Sequence, residues 1–403
     1  MAMAHHRRRR RFGAVTSLIT AAVLSAITLP AHAAPAEGRI LGAYAPGAVG
    51  SSYIVTLKSG AGGITAPSTA GRDLLRTYGA RIRHTYGTAL NGYTVRADAA
   101  QARRLAADPR VATVAQDSRV SIDRSRSAPP SWGLDRIDQP SLPLDHSYTP
   151  PAGGGAGATA YVIDTGVRTS HQDFGGRARS GWDFVDDDAT AQDGNGHGTH
   201  VAATIAGRSH GVAKRAGVVA VRVLDDEGSG TTSQVIAGID WVTHHAKKPA
   251  VANMSLGGTV SPQLDAAVRN AIAAGVTFTV AAGNDGMPAD LASPARVGEA
   301  VTVGATDRTD ARASFSNWGG RLDLFAPGVD ISSAWNTSDT ASKTLSGTSM
   351  AAPHAAGAAA LHLGDHPSAS PAEVSAALVG RSASGKVTGP GLTSPNRLLQ
   401  VHD

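Results

Sequence analysis

At 403 residues the chain has room for two domains, and its low aromatic content (4%) with 47 glycines suits closely packed α/β layers. Cysteine is absent, which excludes disulfides, thiolate metal sites and a cysteine nucleophile. The net charge of +5 is unevenly spread: 17 Lys and Arg face 6 Asp and Glu up to Arg124, against 20 and 26 from Ser125 onward, so the leading part carries +11 and the rest −6. Basic character confined to the leading part argues against nucleic acid as a partner.

The chain opens with the three parts of an export signal. His5 to Arg11 form a charged head, Phe12 to Leu29 an apolar stretch, and Ala31-His32-Ala33 an A-x-A cleavage signal. A membrane anchor is the competing reading, but Thr16, Ser17, Thr20, Ser25 and Thr28 dilute the stretch and Pro30 ends it, so no stable anchor is expected. Arg9-Arg10-Arg11-Phe12 fits a twin-arginine signal, but a run of five arginines matches that pattern by chance, so the export route stays open.

A second unit spans Tyr53 to Ile122. Strands are predicted at Tyr53–Leu57, Asn91–Val95 and Val111–Ala115, with helices at Gly71–Tyr78 and Ala99–Ala107, giving a small α+β domain. Asp123 to Pro130, rich in Arg, Ser and Pro, reads as an exposed linker. From Trp132 onward apolar runs alternate with helical stretches. The runs are Thr159–Ile163, Val218–Val223, Val251–Ser255, Thr277–Ala281 and Ala300–Gly304; the helices include Ser233–His244 and Pro262–Ala274. Such alternation predicts a doubly wound, mostly parallel sheet flanked by helices, with functional groups at the carboxyl ends of the strands.

Polar residues stand at those ends. Asp164 follows Tyr161-Val162-Ile163, His197 lies in DGNGHGTH before a helix predicted over Val201–Gly207, and Asn284 follows Val280-Ala281-Ala282-Gly283. Ser349 lies in SGTSMAAPH, where glycine gives way to an alanine-rich helix running to Leu363. A hydroxyl nucleophile needs a base within hydrogen-bond reach, and the base needs a carboxylate to hold its tautomer. Asp164, His197 and Ser349 supply these three groups. A helix N-terminus at Ser349 aims its N–H and the helix dipole at charge developing on an attacked carbonyl, and Asn284 can add a second donor. Gly347 and Gly283 leave room for a substrate backbone.

Each residue taken alone has a plainer reading. An Asp after a strand is most often a turn or a cap. His197 and His200 could pair on a metal, but no H-E-x-x-H is present. GNGHG lacks the spacing of a phosphate loop, and Ser349 lacks the G-x-S-x-G elbow of esterases and lipases.

Together, and in the order Asp, His, Ser, the motifs resemble the subtilisin-like serine proteases. The likeness lies in YVIDTGV (161–167), DGNGHGTHVA (193–202), NMSLGG (253–258), VAAGN (280–284) and GTSMAAPHAAG (347–357). PSWGLDRID (130–138) and VLDDEGSG (223–230) resemble the proteinase K branch, and the likeness extends over residues 130–403. The resemblance implies that Asp164 orients His197, that His197 activates Ser349, and that Asn284 and the Ser349 N–H hold the oxyanion. It also implies two strand edges for an extended peptide, Gly228-Ser229-Gly230 and Ser255-Leu256-Gly257. Ala281, Ala282 and Gly283 would form small, uncharged pocket walls, so broad specificity leaning toward apolar residues is expected.

YIVTLK (53–58) and ALNGYTV (89–95) resemble the inhibitory I9-type propeptide of these enzymes. The expected organisation is a signal peptide at 1–33, a propeptide at 34–124 and a peptidase domain at 125–403. The expected product is a secreted, self-processing endopeptidase, its propeptide docked with help from the opposite charges. Protein substrates and the propeptide are the expected partners, and the expected state is a monomer. A structural calcium ion is implied at the carbonyls of Gly298 and Ala300 and the carboxylate of Asp323, with no organic cofactor. The acidic run Asp186-Asp187-Asp188 reads as a solvated loop, with a second cation as the alternative. A catalytically dead peptide-binding relative is the alternative from another class, and four filled catalytic positions argue against it.

Overall fold

The structure, a computed structural model, describes residues 36–43, 45–59, 64–122 and 131–401. The predicted export signal and the linker Asp123–Pro130 lie outside the described residues. All the described residues from Ala36 onward fall in one compact unit.

The leading domain is built from β1 (Ala48–Leu57), α1 (Thr69–Thr77), β2 (Arg81–Tyr86), β3 (Gly92–Arg96), α2 (Ala99–Ala106) and β4 (Val111–Ser121). Its strands pair antiparallel in the order β4-β1-β3-β2. Both helices pack on the sheet through Leu74, Leu75 and Leu105, against Tyr53, Val55 and Tyr93. Asp98 and Gln101 close a capping box at the start of α2, satisfying backbone donors that the helix cannot. Strand β4 runs six residues beyond its predicted end at Ala115. Its last three residues pair with strand edges outside this domain, and no local pattern could announce such partners.

The main domain follows the predicted alternation. Its elements are β5 (Thr159–Asp164), β6 (Ala178–Asp183), α3 (His197–Ala206), β7 (Gly217–Arg222), β8 (Ser229–Thr231), α4 (Thr232–His245) and β9 (Ala250–Met254). They continue as β10 (Gly257–Thr259), α5 (Pro262–Ala273), β11 (Thr277–Ala281), β12 (Val301–Thr306), β13 (Leu324–Pro327), α6 (Thr348–Asp365) and α7 (Pro371–Arg381). The large sheet runs β6-β7-β5-β9-β11-β12-β13 in parallel, then adds the short strands Arg397–Leu398 and Ala383–Ser384, the last antiparallel.

Strand β5 shows why the sheet is covered on both sides. Ala160 and Val162 join a core with residues of α3, α6 and α7, while Tyr161 and Ile163 join a second core with residues of α4 and α5. A continuous apolar run is therefore needed, and each fully buried Val or Ile contributes about 1.5–3 kcal/mol relative to exposure. Helix α6 lies in the first core on a run of alanines. Its Gly357 is pressed so close that a Cβ there would meet the Val212 Cβ at 2.5 Å.

The far end of α3 is fastened by Asp173. The Asp173 carboxylate accepts from the Ser209 N–H at 2.6 Å and shares a 2.9 Å bond with the His210 Nδ1. Burial works against its charge, but the His210 contact and the backbone donors prevail and pull its carboxyl down from an ordinary 3.8 to about 2. A depressed folded value adds stability above the ordinary carboxylate range and loses it as pH falls toward about 2. Asp173→Asn should therefore lower stability at pH 7 by on the order of 2 kcal/mol. The deficit should shrink as pH falls below about 4 and vanish only below about pH 2. Urea melts of both proteins across pH, in a Ser349→Ala background to prevent self-digestion, check this.

Candidate active site

Asp164 is the last residue of β5, and His197 is the first residue of α3. Both are buried, at 0% and 2% exposure, and the His197 Nδ1 stands 2.8 Å from the Asp164 Oδ1. The same oxygen accepts from the Thr165 N–H at 2.7 Å. A buried carboxylate on Nδ1 makes that nitrogen the donor and turns Nε2 into the basic face of the ring. The helix begins four residues before its predicted start at Val201. Gly196 precedes it with φ of +112°, and a Cβ there would meet the Trp335 ring at 2.4 Å. His200 belongs elsewhere: its Nε2 meets the Ile331 carbonyl at 2.9 Å, and burial pushes its imidazole down to about 3.

Ser349 is the second residue of α6, and its hydroxyl donates to the Ser255 carbonyl at 3.1 Å. Pro353 lies four residues on and has no N–H for the Ser349 carbonyl. The Ser255 hydroxyl donates to that carbonyl instead, at 2.9 Å. Ser255 Oγ in turn accepts from Asn253 Nδ2 at 2.8 Å, and Asn253 Oδ1 accepts from the Thr279 hydroxyl at 2.9 Å. Sequence reasoning assigned no role to Asn253, Thr279 or Pro353. The proline was visible, but the hydroxyl that serves the carbonyl it leaves free lies 94 residues from Ser349.

Asn284 follows β11. Its Oδ1 accepts from the Thr348 N–H at 2.8 Å, and a Cβ on Gly347 would stand 3.4 Å from its Nδ2. The amide nitrogen thus overlooks the start of α6, beside the Ser349 N–H. Gly283 is required for a second reason besides the predicted one. Its φ is +102°, and a Cβ would meet the Asn317 Nδ2 at 2.4 Å, so backbone conformation and a neighbouring side chain demand glycine.

An extended chain lies between the first predicted edge and β10, which shares only Gly257 with the second predicted edge. The end of β4 pairs antiparallel with β8, with Arg119 opposite Thr231, Val120 opposite Gly230 and Ser121 opposite Ser229. On its other side Ser121 faces Gly257 and Val120 faces Gly258. The Ile122 N–H donates to the Gly228 carbonyl at 3.0 Å. Next to this ribbon lies a cavity of about 210 Å³ whose lining includes Leu256, Ala281, Ala282, Gly283 and Ser349, with Asp285 as a charged wall. Asp285 was not foreseen.

Comparison with known proteins sets these features in a family. The model described as "Subtilase family" matches residues 155–395, and "Peptidase inhibitor I9" matches residues 52–123. The chain belongs to the subtilase family. An extracellular serine proteinase of Thermus sp. (strain Rt41A) is 50% identical over 405 residues, covering 96% of this chain and 98% of the relative. A cuticle-degrading serine protease of Arthrobotrys oligospora is 42% identical over 401 residues, covering 94% and 97%. The crystal structure of a cold-adapted subtilisin-like serine proteinase superposes with a TM-score of 0.66 at 54% identity, covering 68% of this chain and all of that one. The subtilase is thus a secreted serine proteinase with an I9-type propeptide ahead of the enzyme domain.

In this subtilase the propeptide docks through carboxylates on backbone donors. Asp240 on α4 accepts from the Thr88 N–H at 2.8 Å and the Gly87 N–H at 3.3 Å, and also from the Ala89 N–H. Reciprocally, propeptide Asp117 accepts from the Ser233 N–H at 3.1 Å and the Ser233 hydroxyl at 2.7 Å, at the N-terminus of α4 where a negative charge is favoured. Among the described residues no ion pair joins the two domains, so the opposite charges read from the sequence do not meet as pairs.

The predicted calcium ligands lie on the turn into β12 and beside it. Asp323 donates its N–H to the Thr302 carbonyl and accepts the Thr302 N–H on Oδ2 at 2.8 Å, which brings its carboxylate beside the residues that follow Ala300. Burial pushes this carboxyl up to about 6, with the Thr302 N–H as the opposing influence. A buried carboxylate so costly to charge is a group that a hard cation would stabilise. No cluster of three acidic or histidine side chains occurs among the described residues, so carbonyls would have to supply most ligands. The acidic run is exposed, as a solvated loop is, with Asp186 paired to Arg222 at 2.7 Å and Asp188 accepting from the Thr190 N–H at 2.6 Å.

Replacing Asp240 with Ala removes the acceptor for three propeptide N–H groups, bonds worth about 1.5–3 kcal/mol when buried and less here at the surface. Propeptide release should quicken several-fold, read as a shortened lag before peptide hydrolysis appears on refolding. An unchanged lag would show that this carboxylate does not hold the complex.

Proposed function

We propose that this subtilase is an endopeptidase acting through Asp164, His197 and Ser349, with Asn284 and the Ser349 N–H as oxyanion donors, and that it is made as a self-processing zymogen. The Ser349 hydroxyl leaves the Ser255 carbonyl, passes its proton to the His197 Nε2 and attacks the peptide carbonyl. The imidazolium formed is stabilised by Asp164, and it then protonates the leaving amine. The oxyanion falls between the Asn284 amide and the first N–H groups of α6, where a donor is typically worth about 3–4 kcal/mol of barrier. Water brought in on the same imidazole releases the acyl group.

The observation that carries this reading is the extended ribbon Arg119–Ile122 between β8 and β10, running toward Ser255 and Ser349. Main-chain pairing holds a peptide with little regard for its side chains, so many sequences are accepted. The small apolar walls at Ala281, Ala282 and Gly283 favour apolar residues before the cut, and Asp285 disfavours acidic ones. The propeptide is read as 34–124 after a signal peptide at 1–33, with the peptidase domain at 125–403. Self-cleavage falls beyond Ile122, within Asp123–Ser131.

A serine-directed sulfonyl fluoride should label Ser349. Ser349→Ala should lower kcat by about 10⁴–10⁶-fold and leave the propeptide attached. Processing of purified Ser349→Ala with no protease added would contradict self-cleavage, and an unlabelled wild-type serine would end the catalytic reading.

Calcium would be held by the carbonyls of Gly298 and Ala300 and the Asp323 carboxylate, bracing the turn into β12 by adding a charge partner to a buried acid. Chelation should lower the melting temperature of the Ser349→Ala protein. Saturating calcium at about 100 times its Kd should restore about 2.7 kcal/mol. Asp323→Asn should abolish most of this difference. An equal calcium response in Asp323→Asn would move the site elsewhere.

A further inference from the structure

We propose that Asp193 is a positioning residue that sets the His197 imidazole against Asp164, a role that rests on the triad reading above. Helix α3 starts without a cap of its own, because Gly196 at its N-cap has no side chain and the Trp335 ring leaves no room for one. Its first N–H groups nevertheless need acceptors, since no helical carbonyl precedes them.

The His197 N–H goes to Asn195 Oδ1 at 3.2 Å. Asp193, three residues before Gly196 and only 3% exposed, takes the Thr199 N–H and braces the turn that leads into the helix. Its Oδ1 accepts from the Gly196 N–H at 2.7 Å and the Asn195 N–H at 3.0 Å, and its Oδ2 accepts from the Thr199 N–H at 2.9 Å. The Thr199 hydroxyl also donates to Oδ2, so one carboxylate spans the residues on both sides of His197.

The carboxylate also reaches the strand that carries Asp164. The Thr165 hydroxyl donates to Asp193 Oδ1 at 2.9 Å and accepts the Gly198 N–H at 2.9 Å. Thr165 is covalently next to Asp164 and fully buried. The end of β5 and the start of α3 are therefore clasped by Asp193 and Thr165 together. The fit is close: a Cβ on Gly198 would meet the Gly166 carbonyl oxygen at 2.1 Å.

A side chain at the rim of a helix lies roughly 5–6 Å from its axis, so a rotation of about 10° moves it by roughly 1 Å. A misplacement of about 1 Å in a catalytic group costs up to about a hundredfold in rate. Asp193 touches neither substrate nor the reacting atoms, and it acts through the angle and depth at which α3 presents His197.

Asp193→Asn keeps the side chain's shape but turns an NH₂ group toward one set of N–H donors. The test counts competent sites by sulfonyl-fluoride titration, then measures kcat per titrated site and KM for a chromogenic peptide. We expect kcat per site to fall by about tenfold to a hundredfold, with KM held within about twofold. Thr165→Val should act in the same direction, and the double variant should be less impaired than the product of the two single effects. Asp173→Asn, which loosens the opposite end of α3, is the control: it should melt earlier and keep its kcat per site.

If Asp193→Asn lowers the melting temperature and the titratable fraction but keeps kcat per titrated site, Asp193 is a structural cap and the proposal fails. If that variant yields no mature enzyme, Thr165→Val decides by the same kcat criterion. A wild-type protein that cannot be titrated would sink the triad reading and not this geometry.

Discussion

The site depends on one buried contact, the 2.8 Å bond between His197 Nδ1 and Asp164 Oδ1, made across 33 residues of chain. Asp164 ends a central strand and cannot shift without moving the sheet. His197 opens a helix that could rotate. Asp193 and Thr165 hold the end that carries His197, and Asp173 fastens the far end. A buried carboxylate is a costly fastening, because every lone pair must be met by a donor. Here those donors are backbone N–H groups, hydroxyls and, at Asp173, the His210 ring, whose own positions are thereby set.

The serine half of the site is fixed by a different device. A proline inside α6 removes one helical bond, and the freed carbonyl belongs to Ser349 itself. The Ser255 hydroxyl takes the place of the missing donor, and the Ser349 hydroxyl is returned to the Ser255 carbonyl. Ser349 is thus anchored to the segment that leads from β9 into β10, the strand that pairs with the end of β4. The placement of Ser349 and the pairing of the propeptide strand share one piece of backbone.

The propeptide lies between β8 and β10 as a strand and holds itself there with charge on backbone donors. Asp240 and Asp117 work in opposite directions across the interface, each domain lending a carboxylate to the other's N–H groups. Such contacts are directional, whereas the bulk charge difference between the domains acts at longer range and at low salt. Approach and final fit therefore draw on different features of the same sequence.

Local pattern was enough for the alternation of strands and helices, for the α+β character of the leading domain, and for the placement of Asp164, Asn284 and Ser349 after apolar runs or glycine. These depend on hydrophobic period and turn residues, which are properties of neighbouring positions. The early start of α3 was not legible, because its cap is a side chain outside the helix and its N-cap glycine is dictated by Trp335, more than a hundred residues away. The extension of β4 to Ser121 and the need for glycine at 283 likewise rest on distant partners, β8 and β10 in one case and Asn317 in the other. The sequence by itself therefore determined which residue types stand at the strand ends and what chemistry they can perform. Only the tertiary structure decided which of them share bonds, because a hydrogen bond between positions 33 or 94 residues apart exists only once the chain between them has folded.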